Sequence, residues 1–214
     1  MLDFAFETLA ELIHRGGDVM WVLLSLSVLA VALVFERCWF WILTNRPGRT
    51  AMVDQLGQLL RSAQHKKAQK LAQSDGSVYG RLVSSILSEV GSEAVMTAAV
   101  ESQRFRLERF MPTLSTIITA SPMLGILGTV LGLISALQLF GSEQIITDPR
   151  TMSPAIGQAL ITTATGLVVA IVVLFPYNFF RSQVDRTLGR IEALVASFEQ
   201  GQSVQGSGSS HSEP

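Results

Sequence analysis

The side chains of this sequence that could do chemistry in an apolar medium are all neutral. Thr116, Thr119, Ser121, Thr129, Ser135 and Gln138 lie in one uncharged run, and Gln158, Thr162, Thr163 and Thr165 in another. Hydroxyls and amides can solvate an ion or a protonated water, but they cannot store a proton. An enzyme at the same depth needs a nucleophile with its base, paired aspartates or a metal-ligand box. The three uncharged runs, 19–35, 110–140 and 151–180, contain no His, Asp, Glu, Lys or Arg; His14, His65 and His211 lie outside them. An enzyme is therefore not expected, nor a cofactor or metal site. The lone cysteine, Cys38, can form no intrachain disulfide. Any single threonine in a membrane helix has a bland explanation, since its hydroxyl commonly bonds back to its own helix or holds a neighbouring one. It is the clustering that points to an ion pathway.

The hydroxyls are carried by stripes of small residues. Gly125, Thr129, Gly132 and Ala136 recur at i, i+4, i+7 and i+11, and so do Ala159, Thr163, Gly166 and Ala170. Each stripe occupies one helix face, and Gly128 with Gly132 adds the close-approach spacing of membrane helices. Both faces would be left uncovered in a lone subunit, so a symmetric homo-oligomer is expected, with Gly125, Gly128, Gly132 and Gly166 as helix-packing positions.

The elements that hold these stripes follow from length. About 20 apolar residues suffice to cross a hydrocarbon core of about 30 Å, and all three runs approach or exceed that. With 48% hydrophobic residues, 15% charged residues and a net charge of −1, the expectation is an all-α membrane protein. It has three transmembrane helices, long cytoplasmic helical extensions and an oligomeric bundle, and no global charge to attract nucleic acid.

In chain order, residues 1–18 read as an amphipathic segment at the membrane surface and 19–43 as the first span, closed by Glu36-Arg37 and the aromatic belt Trp39, Phe40 and Trp41. Residues 44–109 read as a cytoplasmic helical region with breaks at Pro47-Gly48 and at 74–77, joining the second span, 110–140, as one rod kinked near Pro122. Residues 141–152 form a periplasmic loop. Ser153-Pro154 is a serine cap with proline in the first turn and opens the third span, 153–180. A cytoplasmic extension, 181–200, and a disordered Gly/Ser/Gln-rich tail, 201–214, complete the chain.

Ten basic residues lie between Arg46 and Arg109 and three between Arg181 and Arg190, against Arg15 before the first span and Arg150 between the other two. Positive charge gathers on the cytoplasmic side, so the amino terminus is expected in the periplasm and the carboxyl terminus in the cytoplasm. Arg46, Arg49, Arg104, Arg106, Arg109 and Arg181 are expected to meet anionic headgroups, with helix-to-helix ion pairing as the competing role.

The order of elements carries a resemblance, together with Glu36-Arg37, Leu124-Gly-Ile-Leu-Gly-Thr-Val-Leu-Gly132, Ser153-Pro-Ala-Ile-Gly-Gln-Ala-Leu-Ile-Thr-Thr-Ala-Thr-Gly166 and Pro176-Tyr-Asn178. From about residue 15 to 200 the chain resembles the MotA/TolQ/ExbB proton-channel family, and its three spans place it on the TolQ/ExbB branch. The resemblance implies a bacterial inner-membrane pentamer around the membrane helix of an ExbD- or TolR-like partner whose aspartate takes up the proton. Work is then passed to a TonB- or TolA-like protein for outer-membrane transport or envelope maintenance. Thr129 and Thr163 match the family's pore threonines. Gln158 stands where ExbB and TolQ proteins usually carry glutamate; it and Thr162 complete the implied ion pathway. The rival reading is a passive scaffold that only holds a partner's helix.

Overall fold

The computed structural model describes residues 17–44, 48–88, 92–141 and 153–209. These form seven helices: α1 (Gly17–Thr44), α2 (Arg49–Arg61), α3 (His65–Ser74), α4 (Val78–Ser88), α5 (Glu93–Glu108), α6 (Met111–Gly141) and α7 (Ser153–Ser209). No strand occurs among the described residues, and the protein is all-α. The surface segment expected over 1–18 falls outside them except for its last two residues, as does most of the loop expected over 141–152.

The chain divides into two compact units, Met1–Glu36 with Phe110–Asn178, and Arg37–Arg109 with Phe179–Pro214. The first holds most of α1, all of α6 and the first half of α7. Three helices are long and apolar enough to cross a membrane, within Asp18–Thr44, Met111–Gln138 and Ile156–Val204. Trp21, Phe35, Met123, Leu160 and Phe175 are between 62% and 71% exposed, an apolar surface that suits lipid or a partner and not water.

The second unit is a helical bundle. Leu56, Leu60, Leu82, Ile86, Leu107, Ile191, Leu194 and Phe198 are buried in it, at the three-to-four-residue spacing of amphipathic helices. His65 meets the Phe198 ring edge-on, with centroids 5.6 Å apart. The expected single helix after Gly48 is in fact α2 and α3, separated at residues 62–64, where Ala63 adopts a positive φ of 53°.

Two further expectations are corrected. The soluble helix before the second span does not continue into it: α5 ends at Glu108, and Phe110 takes a φ of 66° before α6 begins with Leu114 N–H donating to the Phe110 carbonyl. A left-handed phenylalanine interrupts the helical ladder, which charge and hydropathy patterns do not reveal. α6 then continues across Pro122. Helix α7 also runs on to Ser209, through the first nine positions of the expected disordered tail. Gly201 is buried, and a Cβ there would come within 2.1 Å of the Leu60 carbonyl oxygen. That glycine serves close packing at the end of α2, where composition alone reads flexibility.

Candidate functional site: the α6–α7 seam

The hydroxyls of the membrane unit gather where α6 meets α7. A Cβ built on Gly166 would lie 2.4 Å from the Ser121 carbonyl oxygen, one on Gly125 would lie 2.9 Å from Thr163 Cα, and one on Gly128 would lie 2.8 Å from Thr162 Cβ. Contacts that descend α7 as they ascend α6 make the pair antiparallel. No side chain fits at these glycines without displacement, so the backbones touch directly. Ala136, Ala159 and Ser121 are buried along the same line, and Gly132 is half-buried.

The two stripes therefore face each other within one chain. The expectation that both would be uncovered in a lone subunit is corrected: hydropathy and spacing mark a face made for a close neighbour, but not whether that neighbour belongs to the same chain.

Hydrogen bonds decide how each hydroxyl is presented. Thr163 Oγ1 donates to the Gly125 carbonyl at 2.7 Å, bridging the helices. Thr129 Oγ1 donates to the Ile126 carbonyl at 2.6 Å, and Ser121 Oγ to the Ile117 carbonyl at 2.7 Å. Thr162 is 1% exposed, its hydroxyl donates to the Gln158 carbonyl at 2.9 Å, and it fills the space opposite Gly128. Within the subunit Thr162 is buried and packs against Gly128. Gln158 and Thr165 are half-buried, and Thr165 donates to the Ile161 carbonyl.

Angular position separates these residues. At about 100° per residue, Thr129 stands roughly 40° beyond Gly125 on α6, and Thr163 roughly 40° beyond Ala159 on α7. Facing antiparallel helices are related by a two-fold axis perpendicular to both, so offsets of the same sign fall on the same flank. That flank, with Ile126, Leu133, Leu160 and Leu167, is exposed. Gln158, Thr162 and Thr165 have the opposite offset and share their flank with buried Val169.

Outside the membrane unit, sequence reasoning passed over the part played by two arginines. Arg37 is 1% exposed; it donates to the Leu107 carbonyl at 3.1 Å and the Arg106 carbonyl at 3.5 Å, closing the end of α5, and lies 5.0 Å from the Phe40 ring centroid. A guanidinium is well placed on the negative end of a helix. Arg49 donates to the carbonyls of Leu43 and Thr44 at the end of α1 and pairs with Asp75 at 3.2 Å. The signal in each case is an arginine one or two turns from a helix end, though only the fold says which end it caps. Arg104 pairs with Glu108 at 3.0 Å, which raises its pKa, chiefly through that hydrogen bond. Burial and, less strongly, Arg106 lower the pKa of Arg81, with Asp75 opposing. Arg46 lies outside the described residues. Among the described residues no group of three or more His, Cys, Asp or Glu could hold a metal ion.

Known proteins are similar to this chain in sequence and in fold. The sequence profile of the MotA/TolQ/ExbB proton channel family matches residues 59–193. A putative biopolymer transport protein, ExbB-like 3, from Synechocystis sp. is 33% identical over 191 residues, covering 86% of this chain and 90% of its own. Biopolymer transport protein exbB1 of Vibrio cholerae is 28% identical over 197 residues, covering 87% and 85%. The Tol-Pal system protein TolQ of Pseudomonas aeruginosa is 32% identical over 109 residues, about half of each chain. In fold, the chain is similar to the structure of C. jejuni MotAB, with a TM-score of 0.54 at 16% identity, covering 94% of this chain and 88% of that one. Together with three membrane-length helices and a glycine-threonine seam, these matches make the chain a membrane protein that belongs to the MotA/TolQ/ExbB proton channel family, on its ExbB-like side.

Proposed function

We propose that this protein is the pore-forming subunit of an ion-driven inner-membrane motor, with the flank of the α6–α7 pair carrying Thr129 and Thr163 turned toward the helix of a partner. The observation that carries the reading is how these two hydroxyls are presented. Both donate their protons to backbone carbonyls, which leaves their lone pairs able to accept, and both side chains are half-buried at the edge of one flank. Acceptors suit a protonated water or a cation.

The family is one of proton channels, and the proton is the favoured ion. The uncharged runs of this chain hold no Asp, Glu, His, Lys or Arg, and an unaccompanied charge at membrane depth is very costly. The titrating group is therefore supplied by the partner, an ExbD- or TolR-like protein whose membrane aspartate would sit against the flank. A homopentamer with its amino terminus in the periplasm and its carboxyl terminus in the cytoplasm completes the proposal, and the work is delivered to a TonB- or TolA-like protein. Gln158, on the other flank, takes part in the pathway only if a neighbouring subunit brings it to the lumen.

The test is reconstitution with the partner in liposomes under an ion gradient. Gradient-dependent activity is expected to fall sharply in Thr129→Val and Thr163→Val while the complex stays assembled. Unchanged activity in both variants would overturn the pathway and favour the passive scaffold.

A further inference from the structure

The helical unit holds a cavity of about 210 Å³ whose lining contains Thr44, Arg49, Tyr79, Arg186, Thr187 and Arg190. It has three guanidinium groups and no carboxylate in its wall. Arg49 is spoken for by Asp75 and by the end of α1. Arg186 and Arg190 project from α7, remain exposed and make no ion pair among the described residues. One helical turn separates them, so both reach the same opening.

The lining also carries a second, independent sign of a ligand. Tyr79 is 1% exposed, and its hydroxyl is buried without a hydrogen-bond partner. An unpartnered buried hydroxyl costs stability, and native structures rarely leave one so. Thr187, 2% exposed, and Thr44, 8% exposed, belong to the same lining. Two open guanidiniums, a buried phenol and two threonines make a donor-rich, positively charged cavity. Guanidinium forks favour oxyanions, and donors converging from several directions suit a phosphate group.

We infer that this cavity is a phosphate-binding site, formed by Arg186, Arg190 and the Tyr79 hydroxyl. The depth of the site points to the source: Thr44 closes the first membrane-length helix, which puts the cavity where phospholipid headgroups lie. The phosphate of an anionic phospholipid and a free phosphate share the chemistry. Only the choice between them rests on the membrane reading of α1.

The full-length protein in phosphatidylcholine nanodiscs, with and without phosphatidylglycerol, tests the first source by native mass spectrometry of retained lipid. Inorganic phosphate, titrated in a thermal-shift assay against sodium chloride of equal ionic strength, tests the second. Selective retention of phosphatidylglycerol is expected. It should fall about tenfold or more in the Arg186→Gln/Arg190→Gln double variant, as loss of charge-assisted hydrogen bonds implies. Tyr79→Phe keeps the packing and should weaken retention several-fold, so it decides the matter if the double variant fails to assemble. Variant-sensitive binding of inorganic phosphate alone would make the ligand a soluble phosphate and leave the site standing. Equal binding by wild type and Tyr79→Phe in both arms would overturn the site, as would variant-sensitive binding of an acidic peptide alone.

Discussion

Thr163 donates its hydroxyl proton to the carbonyl of Gly125, 2.7 Å away on the facing helix. The bond joins the two small-residue stripes and uses the proton of Thr163, leaving its oxygen an acceptor. One hydroxyl thus serves packing and the proposed pathway, and substitutions can tell the two apart. Thr163→Val removes both at nearly constant shape, whereas Thr163→Ser restores the hydroxyl. The fold should lose about 1 kcal/mol in the valine variant, the net value of a typical hydrogen bond. Gradient-driven activity should fall far more than that loss explains and return in the serine variant. Equal activity in the valine and serine variants would remove Thr163 from the pathway.

The seam makes a stability prediction that needs no partner. A Cβ on Gly166 would lie 2.4 Å from a backbone oxygen, so Gly166→Ala should cost about 1–3 kcal/mol by overpacking. Gly128→Leu should cost more. Leu133→Ala, at a position 48% exposed, should have little effect. Thermal unfolding in one detergent compares all three variants, and a Gly166→Ala protein as stable as wild type would contradict the close approach.

Arg37 offers a test in the helical unit. Its buried guanidinium holds the last carbonyls of α5, so Arg37→Met should destabilise that unit by roughly 1.5–3 kcal/mol, the range for hydrogen bonds to charged groups. Arg37→Lys should recover only part of it, because the ammonium can replace the single donating nitrogen, Nη1, but not the flat guanidinium beside the Phe40 ring. Hydrogen exchange at the α5 terminus reads the effect locally. Unchanged protection there in Arg37→Met would show the cap to be dispensable.

Assembly and transport are tested together. Native mass spectrometry of the protein alone should give a homo-oligomer, five subunits being the proposed number, and a monomer in several mild detergents and in nanodiscs would count against the pore. In liposomes the protein alone should conduct almost nothing, since it lacks a group that changes protonation at membrane depth. Coexpressed with its partner, it should gain gradient-dependent activity that disappears when the partner's membrane aspartate becomes asparagine. Gln158→Glu should be tolerated if oligomerisation exposes that flank to water and should weaken assembly if it is packed. Robust flux from this chain alone, insensitive to Thr129 and Thr163, would overturn the mechanism.

Much of this protein is legible one residue at a time. Three long uncharged runs leave a helix crossing a membrane as the physical outcome, because only internal hydrogen bonding satisfies a backbone in lipid. The periodic glycines and threonines mark a face for close approach, and the absence of Asp, Glu, His, Lys and Arg from those runs removes the usual proton stores whatever the fold. What only tertiary structure decided is which surface meets which. Gly125 and Gly166 read alike whether they face a second subunit or each other, since spacing encodes the shape of a face and not the address of its partner. Thr162 and Thr163 are adjacent in sequence, yet about 100° of helical rotation seals one against Gly128 and leaves the other at the seam's edge. Phe110 interrupts what reads as a continuous helix, and Gly201 packs where composition reads disorder. Arg37 reads as an interfacial charge until the end of α5 folds back onto it. Apart from the backbone turn at Phe110, the deciding contact joins residues distant in the chain, and local pattern carries no record of it.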